Sequence, residues 1–156
     1  MKFSLLAYTK SKVNGETSGT VAMITRSFPQ TRTSEQDDPL TRKIIACAIE
    51  VHKRLGPGLL EKLYKESMAI EMELSGLKVE KNVKVAVDYK GKPIGEYFID
   101  VLVEDTVILE LKSVERYDPV FEAQILSYMK LTGKKVGLLI NFNSKMVKDG
   151  IKRFIL

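Results

Sequence analysis

The sequence predicts an α/β domain spanning residues 39–156, in the order helix, helix, three strands, helix, strand. Three patterns predict it. Apolar residues fall at helical spacing between Pro39 and Gly76, strand-like alternation follows from Val83 to Ser113, and a short continuous apolar run extends from Val136 to Phe142.

The first helix opens at Asp38-Pro39, a capping residue followed by a proline whose missing N–H costs nothing at the first helical position. Leu40, Ile44, Ala48, Val51 and Leu55 form its apolar face, and Gly56-Pro57-Gly58 ends it. A second helix runs from about Leu59 to Ser75 and stops at Gly76. Val83, Val85 and Val87 alternate with polar neighbours in a first strand, and Lys90-Gly91-Lys92-Pro93 reads as a turn. Two further strands, Gly95 to Val103 and Val107 to Ser113, flank Glu104-Asp105-Thr106. Asp118-Pro119 repeats the capping signal and opens a helix ending near Gly133. The run from Val136 to Phe142 has the character of a buried strand, followed by a last short element at Ile151 to Leu156.

Residues 1–38 lack sustained periodicity and are rich in Ser, Thr, Gln and Asp. Such a segment buries too little apolar surface to offset its ordering entropy, so it predicts a disordered or weakly ordered leader with a weak strand near Thr20 to Thr25. Lys10 and Lys12 interrupt its initial apolar run and no small-residue cleavage pattern follows, which argues against export. No stretch approaches the roughly 20 apolar residues of a spanning helix, so no membrane association is expected. The lone cysteine, Cys47, sits in an apolar helical run and reads as packing in a reducing, cytoplasmic setting. His52, the only histidine, has no second soft ligand nearby and reads as a helix-end residue rather than a zinc ligand.

The net charge of +5 permits nucleic-acid binding without demonstrating it. Lys130, Lys134, Lys135, Lys145, Lys148, Lys152 and Arg153 face only Asp149 in the C-terminal stretch. Both a solvated face and a phosphate-binding surface fit that excess.

The hairpin around Glu104-Asp105-Thr106 carries the chemical signal. A three-residue loop pairs Val103 with Val107 and sets Asp100 opposite Glu110. One face then holds Phe98, Asp100, Leu102, Ile108, Glu110 and Lys112, and the other holds Tyr97, Ile99, Val101, Val103, Val107, Leu109 and Leu111 as core. A loop one residue shorter would turn one acid into that core. Facing carboxylates repel unless a cation lies between them, and hard oxygen ligands suit Mg²⁺ or Mn²⁺. Lys112, on the same side, could position or deprotonate a water or neutralise a phosphoryl charge. A surface salt-bridge cluster, with Lys112 merely balancing the two acids, accounts for the same residues.

The neighbouring motifs weigh on that choice. Gly58-Leu59-Leu60-Glu61-Lys62-Leu63-Tyr64 reads G-x-x-E-x-x-Y and resembles the signature of the prokaryotic GxxExxY proteins, a family of the PD-(D/E)XK nuclease superfamily. The resemblance continues through Glu110-Leu111-Lys112, Glu122 to Tyr128 and Gly137 to Phe142, and covers about Pro39 to Phe154. It implies a restriction-endonuclease-like core of helix, three antiparallel strands, helix and strand, a mixed sheet flanked by helices. It further implies that Asp100 and Glu110 bind the metal, that the Leu111 carbonyl adds a ligand, that Glu61 completes the acidic cluster and that Lys112 orients or activates water. Gln124 and Tyr128 resemble the Q-x-x-x-Y element of several nuclease branches, Gln124 beside the catalytic group and Tyr128 toward nucleic acid. Phe98 and Phe121 depart from the pattern, standing where an arginine and a histidine are expected.

The resemblance thus implies a Mg²⁺- or Mn²⁺-dependent nuclease acting on nucleic acid, DNA first among substrates, with homodimerisation common among such nucleases. Lys148, Lys152 and Arg153 are the expected phosphate contacts. Tyr64 is expected to pack rather than act. The alternative is a catalytically silent nuclease-fold module that binds nucleic acid or protein.

Overall fold

The computed structural model describes residues 5–13, 16–24 and 38–156, the first two stretches by backbone alone. The chain divides into two compact units, Met1–Gln30 and Thr31–Leu156. In the first, β1 (Leu5–Val13) and β2 (Glu16–Ile24) pair antiparallel, with Val13 opposite Glu16. β2 covers most of the strand expected near Thr20 to Thr25, whereas β1 has no counterpart in the sequence reading. The sequence between the two strands is Asn14-Gly15, the dipeptide favoured in two-residue hairpin loops and a local signal that composition hides. The rest of the expected leader lies outside the described residues.

The second unit contains α1 (Pro39–Leu55), α2 (Glu61–Leu74), β3 (Val79–Tyr89), β4 (Lys92–Val103), β5 (Val107–Lys112), α3 (Val120–Thr132), β6 (Val136–Asn141), a short 3-10 turn (Val147–Gly150) and β7 (Ile151–Ile155). The five strands form one sheet in the order β3-β4-β5-β6-β7. Every neighbouring pair is antiparallel except β5 and β6, which run parallel across the α3 connection. This is the mixed sheet that the motif order implies, extended by β7 at one edge.

Both faces of the sheet are covered. On one side α1 and α2 bring Ile44, Val51, Tyr64 and Met68 onto Val101, Leu109, Leu138 and Phe142. On the other, Ile125, Tyr128 and Met129 of α3 pack on Leu102, Ile108 and Leu139. Gly137 permits that second contact, since a Cβ there would come within 2.7 Å of the Met129 sulfur. Strand β5 is therefore buried on both faces, which explains its nearly unbroken apolar run and makes Glu110 an exception within it.

The three-residue loop and its register hold: Val103 pairs with Val107, Leu102 with Ile108 and Val101 with Leu109. Asp100 and Glu110 follow next, just beyond the last paired residues. The expected face assignment needs one correction. Tyr97 and Ile99 do not share a face with Val101 and Val103. Ile99 packs in the α3-side cluster and Tyr97 lies against Tyr128, whereas Val101 and Val103 belong to the α1/α2 side. The physical reason lies in the neighbouring strand. Lys81 pairs with Val101 and Val83 with Ile99, but Asn82 between them has φ 53°, outside the strand region, so the alternation slips at Asp100.

The G-x-x-E-x-x-Y stretch has a clear local cause. The buried Tyr64 hydroxyl donates to the Gly56 carbonyl at 2.5 Å and accepts the Leu59 N–H at 3.1 Å, while its ring stacks on Phe142 at 4.4 Å. Ser113, just past β5, donates to the Leu59 carbonyl at 2.6 Å. The turn that launches α2 is thereby fastened to the end of β5, and Tyr64 acts in packing, as expected. Cys47 is likewise buried, and His52 Nε2 bonds the Ser144 carbonyl at 2.9 Å.

Replacing Tyr64 by Phe leaves the Gly56 carbonyl and the Leu59 N–H without this partner. The expected loss is about 1–3 kcal/mol of unfolding free energy, read by urea denaturation. An unchanged midpoint would contradict this role.

Candidate active site

Four elements meet at one end of the β4–β5 pair. Glu61 is the first residue of α2, Asp100 lies on β4, Glu110 and Lys112 on β5, and Gln124 and Tyr128 on the inner face of α3. Glu110 is only 2% exposed. Its Oε1 accepts from Lys112 Nζ at 2.6 Å, and its Oε2 is buried with no hydrogen-bond partner. Asp100 Oδ2 accepts the Leu111 N–H at 3.0 Å, where the strand ladder would otherwise continue, and Oδ1 is ion-paired with Lys65. Lys65 is one helical turn beyond Glu61, so both project from the same side of α2 toward Asp100.

The protonation pattern describes a site with too much negative charge for its surroundings. Burial, reinforced by the Asp100 charge, pushes Glu110 up to about 7 despite the opposing hydrogen bond from Lys112. Burial likewise raises Glu61, with Lys112 opposing and Asp100 adding to the rise. For Lys112, burial acts downward, but Glu110, Glu61 and Asp100 outweigh it and raise the ammonium. The Tyr128 hydroxyl is raised by burial, against the Gln124 hydrogen bond, and by the Glu110 and Asp100 charges. Every resolved shift at the centre therefore retains a proton.

Of the residues expected at the site, Asp100, Glu110, Lys112, Glu61, Gln124 and Tyr128 come together. The Leu111 backbone runs between them with its side chain buried in the α1/α2-side core. Gln124 Nε2 donates to the Tyr128 hydroxyl at 2.7 Å. Tyr128 is 3% exposed and packs in the α3-side core with its hydroxyl held by Gln124, so the expected contact with nucleic acid finds little surface there. Phe121 lies under the Lys112 ammonium at 5.0 Å, and Tyr117 meets Phe121 edge-on.

The expected phosphate contacts divide. Lys152 pairs with Glu122 at 2.6 Å and sits 4.1 Å over the Tyr117 ring, which links it to the Phe121–Lys112 side of the centre. Lys148 is exposed on the 3-10 turn. Arg153 is largely enclosed and binds Asp38 at 2.8 Å, the residue that caps α1. The structure thus gives Arg153 a partner in the fold.

Two further residues escape the sequence reading. Lys65 holds Asp100, and its i+4 spacing from Glu61 is the only signal for it. Asn141 accepts the Val114 N–H at 3.1 Å and donates to the Val114 carbonyl at 2.9 Å, fixing the chain where it leaves β5. Its place at the end of the Gly137–Phe142 motif is its signal.

An all-oxygen donor set with one buried, unpartnered carboxylate oxygen fits a hard divalent cation. Among the described residues no three acidic, histidine or cysteine side chains already form a metal-binding group. Asp100 and Glu110 are instead engaged with Lys65 and Lys112.

A mixed sheet with Asp on its second core strand and Glu and Lys on its third defines a restriction-endonuclease-like fold. Residues 38–154 match the model of the PD-(D/E)XK nuclease superfamily, and the chain belongs to that superfamily. No curated protein and no solved structure matches the chain significantly. No helix among the described residues is long and apolar enough to cross a membrane.

The raised Glu110 carboxyl sets a pH dependence. Its folded-state value lies above its ordinary value of 4.5, so its contribution to stability is complete below that value and is lost as pH rises through about 7. In EDTA, the unfolding free energy should fall from about pH 5 to pH 8, by on the order of 3 kcal/mol at most, and the melting temperature should fall with it. Glu110→Gln should flatten that fall. Identical pH profiles for the two proteins would contradict the assignment.

Proposed function

We propose that residues 39–156 form a metal-dependent nuclease that hydrolyses phosphodiester bonds in nucleic acid, DNA first among them, and that the chain belongs to the GxxExxY branch and acts in the cytoplasm. One observation carries the reading: a buried Glu110 carboxylate with an unpartnered oxygen, set beside Asp100 and Lys112. Asp100, Glu110, the Leu111 carbonyl and Glu61 would hold Mg²⁺ or Mn²⁺. Such an ion supplies Lewis-acid polarisation of a phosphoryl oxygen and lowers the pKa of a bound water.

The chain's own groups do the rest. Lys112 keeps its proton among three acids, so it donates hydrogen bonds to the attacking water or to a phosphoryl oxygen and offsets developing charge. Of the two roles expected for it, this favours positioning over proton abstraction. Lys65 and the Leu111 N–H hold the two Asp100 oxygens and orient that carboxylate. Gln124 fixes the Tyr128 hydroxyl beside the acids. Lys152 and Lys148 would meet flanking phosphates, an interaction that salt would weaken.

A catalytically silent binding module remains the second reading. Phe98 and Phe121 favour it, because they supply no polar contact where an arginine and a histidine are expected. The readings separate in a cleavage assay on single- and double-stranded DNA with Mg²⁺ or Mn²⁺, beside an EDTA control. The nuclease reading predicts metal-dependent cutting that Lys112→Ala and Glu110→Ala each reduce by about 100-fold or more. Binding without cutting under every metal condition would favour the silent module.

A further inference from the structure

Beyond Ile99, the β3–β4 ribbon leaves the covered part of the sheet. Its outer half is mostly exposed, yet it carries a large ring beside the acidic centre. Tyr97 is 50% exposed and sits 5.5 Å from the Tyr128 ring at a tilt of 59°. Tyr128 in turn bonds Gln124 and responds to the charges of Glu110 and Asp100. Tyr97 therefore extends the wall of the centre outward along β4.

The strand pattern leaves space over that ring. Gly95, Tyr97 and Ile99 alternate onto one face. Ile99 turns into the α3-side core, Tyr97 lies against Tyr128, and Gly95 presents no side chain at all. A Cβ at Gly95 would meet nothing within 4 Å. Across the ribbon, Tyr97 pairs with Val85 and Gly95 with Val87, so the neighbouring side chains on that face are aliphatic. The result is a half-exposed aromatic ring flanked by aliphatic side chains, with open space beside it at Gly95.

From this geometry we infer that Tyr97, with the open space at Gly95 beside it, forms a stacking subsite for one unpaired nucleobase next to the scissile phosphate. The inference rests on the nuclease reading and names its substrate class as single-stranded or locally unpaired DNA. A flat, half-exposed π-surface with open space beside it accepts any base face. In a duplex both faces of each base are already stacked, so only an unpaired or extruded base can use the ring. The centre next to it suits the attached phosphate, with Lys112 within hydrogen-bond reach of Glu110 and Lys152 on the Tyr117–Phe121 wall. Phe98, on the opposite face of β4, is not part of this platform.

The test uses the full chain with Ca²⁺ in place of Mg²⁺, and reads fluorescence anisotropy of a labelled oligo-dT strand and of a duplex of equal length. Tyr97→Ala should weaken oligo-dT binding by about 10-fold or more while leaving duplex binding unchanged. Tyr97→Phe should bind as the parent does, and Gly95→Val, which puts a branched side chain into the open space beside the ring, should weaken oligo-dT binding. Melting curves check that each variant folds. Equal affinity of Tyr97→Ala and parent for oligo-dT overturns the inference, as does equal weakening toward strand and duplex or failure of the parent to bind oligo-dT. A changed oligomeric state in Tyr97→Ala with unaltered affinity also overturns it, making the ring a contact between copies. Tyr97-dependent binding without cleavage in Mn²⁺ would support the subsite and remove the nuclease reading. Cleavage with Tyr97-independent binding would do the reverse.

Discussion

A carboxylate placed in the middle of a strand that is buried on both faces loses hydration and must recover that free energy from fixed partners. Glu110 recovers only part of it. One oxygen has Lys112, the other has no partner, and Asp100 and Glu61 add like charge from β4 and α2. The proton that Glu110 tends to keep near neutral pH is the direct consequence. A divalent cation would replace that proton and satisfy the free oxygen together with Asp100. Much of the surrounding architecture can be understood as holding this unfavourable arrangement in place.

The holding is mechanical as well as electrostatic. Tyr64 closes the Gly56–Leu59 turn, Ser113 ties that turn to β5, and the helix launched from it presents Glu61 and Lys65 to Asp100. Asn141 does the same on the other side, bracing the segment that leaves β5. The slip in strand alternation at Asp100 lets its carboxylate take the Leu111 N–H, at the point where the β4–β5 ladder stops. Tyr97, just before the slip, turns onto the α3 side instead of into the opposite core.

Much of this was legible in the residues. The two capped helix starts, the three-residue hairpin loop and the register that brings Asp100 toward Glu110 follow from local signals with strong physical causes. The central trio was legible because a polar residue in an apolar strand is conspicuous. Other features were not. Lys65 was hidden because i+4 pairs of lysine and acid are common on any solvated helix. The face of Tyr97 and Ile99 depended on the left-handed backbone at Asn82, on another strand. Arg153 read as a free cation because its partner, Asp38, is 115 residues away in sequence. In the β1–β2 hairpin, polar composition masked the Asn14-Gly15 turn signal.

Whether the acids of β4 and β5 hold a divalent cation is separable from whether the protein cuts any substrate. Thermal unfolding at about pH 8, with and without Mn²⁺ or Mg²⁺, tests it most directly. Either ion should raise the melting temperature of the parent protein, and Asp100→Asn should remove the increase. A melting temperature indifferent to both ions, or an increase that survives in Asp100→Asn, would contradict it.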